Sequence, residues 1–122
     1  MSVTFSGGIT FTGGGFTLVG APPPSVATAG WYSGGTTTGG VDISTVQRIT
    51  FATDTAIATI RGPLSFERGY IAAAANFNYG WFAGGGYTTV DRITYATDTA
   101  TASLRGPLSI GVFRLAAASG VQ

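Results

Sequence analysis

Two stretches of this chain are near-copies of each other. Laid together without a gap, Val46 to Asn76 and Val90 to Gly120 share about 18 identities over about 31 positions. The shared core reads QRITFATDTAIATIRGPLS from Gln47 to Ser65 and DRITYATDTATASLRGPLS from Asp91 to Ser109. Upstream, Gly30-Trp31-Tyr32-Ser33-Gly34-Gly35 returns as Gly80-Trp81-Phe82-Ala83-Gly84-Gly85. A unit of roughly 45 residues that recurs in tandem buries its apolar face against its neighbour, so the fold is expected to be a stack of repeated supersecondary units.

The wording of each copy is that of short strands. Ile49 and Phe51 alternate with Arg48, Thr50 and Ala52, and Ile93 and Tyr95 follow the same period of two. Ala-Thr-Asp-Thr then gives a turn, with Asp54 and Asp98 suited to local backbone hydrogen bonds. Arg-Gly-Pro-Leu ends the next strand, because Pro63 and Pro107 have no N–H for a ladder. The Ala runs at 71–75 and 115–118 supply a fourth strand in each copy, where small side chains suit close approach. Residues 30–79 and 80–122 are therefore read as two all-β repeats. The first is longer by the loop at 36–45.

Residues 1–29 are of another kind. Short β-like runs separated by glycines lead to Pro22-Pro23-Pro24, which reads as an extended N-terminal β arm and a stiff linker. The arm's apolar residues, Val3, Phe5, Ile9, Phe11, Phe16 and Leu18, are candidates for docking on a partner's sheet edge.

Composition bears on function by what it removes. The chain has no Cys and no His, hence no disulfide, no thiolate ligand and neither of the commonest zinc ligand and general base. All six basic residues are Arg, scattered among five acidic ones, which argues against a phosphate-tracking nucleic-acid surface. No segment has the length of a membrane span or the pattern of a signal peptide, so a product made in a cytoplasm is expected, with no membrane insertion. Charged residues make up only 9% of the chain against a usual quarter or so, and the net charge of +1 gives little mutual repulsion. Self-association follows as an expectation.

Among the residues that recur in both copies, those suited to specific contacts are Trp31 and Trp81, Arg48 and Arg92, Asp54 and Asp98, and Arg61 and Arg105. Catalysis needs one asymmetric constellation, whereas duplicated charges suit turn contacts or ion pairs between units. No catalytic, cofactor-binding or metal-binding residue is assigned. Because it is the main difference between the copies, the loop with Thr36, Thr37, Thr38 and Asp42 is the candidate for partner or glycan contact.

An aromatic before Gly-Gly, a strand, a turn near Asp-Thr, a Pro-containing connection and a returning strand resemble the kelch propeller repeat over Gly30 to Gln122. Where kelch repeats carry a Trp after the turn, this chain has Ala56-Ile57 and Ala100-Thr101. The segments RITYATDTA and RGPLS, with the opening VTFSGGITFTGGGF and the Pro run, look like kelch-like structural proteins of tailed bacteriophages. That resemblance implies a non-enzymatic virion protein, a tail appendage or fibre-associated subunit docked to other virion proteins by its arm. A capsid decoration protein and a lectin for host-surface glycan are the alternatives. Propellers close with about 4 to 8 blades, so two blades per chain imply completion by oligomerisation, with a homotrimer of six blades preferred.

Overall fold

The computed structural model describes residues 27–120 in full, together with the backbone of three N-terminal strands. It is all-β, with two short 3₁₀ turns as its only helical elements among the described residues. No helix there is long and apolar enough to cross a membrane.

The repeat is reproduced in backbone geometry. In the first copy β4 (Ala29–Ser33), β5 (Val46–Thr50) and β6 (Thr59–Arg61) form an antiparallel meander. In the second, β8 (Tyr79–Gly84), β9 (Val90–Thr94) and β10 (Ser103–Arg105) do the same. Their registers coincide: Trp31 lies opposite Arg48 and Trp81 opposite Arg92, while Val46 lies opposite Arg61 and Val90 opposite Arg105. The 3₁₀ turns Phe51–Thr53 and Tyr95–Thr97 follow β5 and β9 at equivalent places. Gly34 follows β4 at φ +61° and Gly84 ends β8 at φ +113°. A side chain at Gly34 would also strike the Arg68 carbonyl, so both backbone conformation and space require glycine there.

The Ala runs behave differently from the strand assignment made above. Ile71–Ala75 is a strand, β7, but it pairs with β8 of the following copy, so that the second sheet is four-stranded in the order β10-β9-β8-β7. The turn between them explains it. Asn76 Oδ1 accepts hydrogen bonds from the backbone N–H of Asn78 and Tyr79, closing a tight hairpin. The equivalent run at 115–118 is not a strand. The first sheet is left with three strands, and β4 at its edge.

At the N-terminus β1 (Val3–Phe5), β2 (Ile9–Thr12) and β3 (Gly15–Leu18) pair with one another as an antiparallel meander. Over these strands the expected extended arm is thus folded back on itself, with β2 paired on both edges. The side chains of Val3, Phe5, Ile9, Phe11, Phe16 and Leu18, and the Pro22 to Pro24 linker, lie outside the described residues.

The core lies between the sheets and draws on both copies. Val46, Leu64, Phe82, Ile93 and Ala102 are buried, with Trp31, Ile71 and Tyr95 packed against them. Backbone hydrogen bonds cross the same seam: Gly62 N–H donates to the Asp98 carbonyl and Ala102 N–H to the Pro63 carbonyl, each at 2.8 Å. The second copy's turn is therefore seated on the Arg-Gly-Pro-Leu connection of the first.

Candidate functional site

Where the sheets meet, one carboxylate gathers three of the recurring side chains. Asp98 sits in the turn after β9 and is 3% exposed. Arg61, at the end of β6, donates to Asp98 Oδ1 from Nε at 2.9 Å and Nη2 at 2.6 Å. Its other oxygen, Oδ2, accepts from Trp31 Nε1 at 2.8 Å and from Arg48 Nη1 at 3.2 Å. All three donors belong to the first copy and the acceptor to the second. The Asp98 turn thus makes its side-chain bonds across the seam, beyond the local turn contacts expected of it.

The local sequence explains the convergence. Trp31 and Arg48 are directly opposed in the β4–β5 register, so they project from the same face. Arg61, opposed to Val46, reaches the same point from the last residue of β6. Tyr95, three residues before Asp98, stacks on Trp31 with centroids 4.0 Å apart and 17° between planes. The Trp31 ring is covered on one face and its N–H is already committed, which suits a packing role.

Electrostatics favour the ionised carboxylate despite its burial. Desolvation pushes the Asp98 carboxyl up, but the hydrogen bonds from Arg61 and Trp31 and the charges of Arg61 and Arg48 outweigh it and hold it below the usual range. Reciprocally, the hydrogen bond to Asp98 raises Arg61.

A second junction between the copies was not singled out from sequence. Arg68, fully buried, donates to the Thr89 carbonyl and Thr89 Oγ1 at 2.9 Å and pairs with Asp91 at 3.5 Å. Its guanidinium lies 4.3 Å from the Phe66 ring centroid. Asp91 Oδ2 also accepts the Ser65 N–H at 3.0 Å. Burial lowers the Arg68 value, opposed by the Asp91 charge. The sequence signal was a departure from the repeat: Asp91 stands where the first copy has Gln47, and Arg68 where the second has Val112.

The remaining recurring residues are not brought together. Trp81 and Arg92 are opposed in β8 and β9, but Arg92 lies over Tyr79, 4.2 Å from its centroid. Arg105 and Asp54 are exposed, and among the described residues neither has an ion pair.

The 36–45 loop is pinned rather than open. Thr36 bridges Asp42, its Oγ1 donating to Oδ1 at 2.7 Å, and Thr37 Oγ1 accepts the Val41 N–H at 3.1 Å. Gly69 lies so close beneath that a Cβ there would meet Thr36 and Asp42. Thr36, Thr37, Thr38 and Asp42 are all exposed. A groove of about 840 Å³ runs between β4 and β7, lined by Ala29, Trp31, Arg48, Ala74, Asn76 and Tyr95 among others. Among the described residues no group of three or more His, Cys, Asp or Glu could hold a metal ion.

No protein-family model matches this chain, and comparison with curated proteins returned no match.

Proposed function

We propose that the chain is a non-enzymatic structural subunit of a phage virion, a tail appendage or fibre-associated subunit, working as a homo-oligomer of kelch-like blades. The observation that carries the structural reading is the Asp98 junction. Four of the recurring side chains, Trp31, Arg48, Arg61 and Asp98, join one unit to the next, where an enzyme would array one asymmetric set around a substrate. The resemblance of the RITYATDTA and RGPLS segments to phage structural proteins supports the virion setting. Three chains with two blades each give a six-bladed ring, within the range such rings use.

Mass spectrometry of purified phage particles tests the virion assignment. The protein is expected among the particle components in multiple copies, and its absence from intact particles overturns the assignment. Its position on tail or head then separates the appendage from a capsid decoration role.

A further inference from the structure

The two copies use one junction once, and the chain carries both halves of it a second time. We propose that Asp54 of one chain docks into the Trp81, Arg92 and Arg105 site of another, as Asp98 docks into Trp31, Arg48 and Arg61 within a chain. This rests on the oligomeric reading above and names its interface.

The equivalence is positional, residue by residue. Asp54 closes its 3₁₀ turn in the backbone conformation of Asp98, at φ −70° and ψ −9° against φ −69° and ψ −3°. Trp81, Arg92 and Arg105 hold the same cross-strand registers as Trp31, Arg48 and Arg61. The donor set and the acceptor turn are thus each built twice, but one chain can join only the first set to the second turn.

What the internal junction buries, the free ends leave open. Leu64 is 2% exposed, whereas its equivalent Leu108 is half-buried. Tyr95 stacks on Trp31, whereas its equivalent Phe51 is 49% exposed. A Cβ at Gly62 would run into the carbonyls of Thr99 and Ala100, while at Gly106 it would meet nothing within 4 Å. Both free halves therefore show the surface expected of a junction without its partner.

The same head-to-tail step also provides for the unpaired strand. Within the chain, the donor copy contributes β7 to the edge of β8 in the acceptor copy, with Ala74 opposite Trp81. Applied between chains, it carries 115–119 to the edge of β4, with Ala118 opposite Trp31. Among the described residues the outer edge of β4 is unpaired, and it lines the groove that the small side chains of this run would enter. Charged docking and strand addition thus point in one direction along one interface, a heterologous contact that closes into a ring if the rotation permits.

The test uses two full-length variants, Asp54→Arg and Arg105→Ala, with molar mass read by light scattering. Both positions are exposed, so each variant should keep the wild-type circular dichroism, and should melt like wild type at concentrations low enough for wild type to be dissociated. Each alone should fall to the chain mass of 12.3 kDa. Mixed in equal amounts they should form a 1:1 pair and no larger species, because one retains only the Trp81, Arg92 and Arg105 site and the other only Asp54. A mixture that stays at the chain mass, or an Asp54→Arg chain that assembles like wild type, overturns the interface while leaving oligomerisation in place. A monomeric wild type overturns both.

Discussion

Arg61 donates two hydrogen bonds to a single oxygen of Asp98, from Nε at 2.9 Å and Nη2 at 2.6 Å. That leaves Asp98 Oδ2 free for Trp31 and Arg48, so one carboxylate ties three points of the first copy to the second. Charge-assisted bonds of this kind are stronger than neutral ones when their partners are withdrawn from water. The arginines keep 23–29% of their side-chain surface exposed, which reduces their share.

Asp98→Ala should therefore destabilise the chain by roughly 2–4 kcal/mol, because it strands two guanidinium groups and an indole N–H without an acceptor. Its repeat equivalent, Asp54→Ala, should change the stability of a dilute, unassembled chain by less than about 0.5 kcal/mol. Urea denaturation of the two variants checks the contrast directly.

The junction also sets an acid dependence. Because the folded state holds Asp98 below its ordinary value of 3.8, its contribution is fully present above that value and is lost as pH falls through the lower, folded value. Unfolding midpoints measured down through pH 4 to pH 2 should decline for wild type. Asp98→Asn should start lower and lose less over the same interval.

The repeat made much of this legible. Shared wording between 46–65 and 90–109 anticipated two equivalent all-β units, and the alternation around Ile49 and Ile93 anticipated β5 and β9. Which sheet would take Ile71–Ala75 was not visible, since a run of alanines has no alternation to mark a face or a register. The Asn76-Phe77-Asn78 turn was the signal for its pairing with β8. Nor could sequence tell Asp98 from Asp54: the two sit in the same local wording, and only the neighbour against which Asp98 is packed makes the difference. Recurrence does not mark Arg68 and Asp91, because their counterparts in the other copy are Val112 and Gln47.

Glycines at equivalent positions should respond oppositely. Gly62→Ala puts a methyl group against the Ala100 backbone and should cost about 1–3 kcal/mol. Gly106→Ala meets open space and should be neutral or stabilising by up to about 1 kcal/mol in a dilute chain. Thermal melts at low protein concentration compare them.

The buried Arg68–Asp91 pair gives a further contrast. Asp91→Ala leaves the fully buried Arg68 guanidinium without its counter-charge and the Ser65 N–H without its acceptor. A loss of about 3–5 kcal/mol is expected. Replacing both partners, with Arg68→Met and Asp91→Leu, should recover much of that loss, as chemical denaturation of the single and double variants would show.

The claim at the centre of this account is that two repeats are an incomplete object and that chains assemble to complete it. Light scattering coupled to size exclusion, across a range of concentrations, tests it most directly. The account predicts a discrete species at a multiple of 12.3 kDa, three chains in the preferred arrangement. A species that stays at 12.3 kDa at every concentration would contradict it.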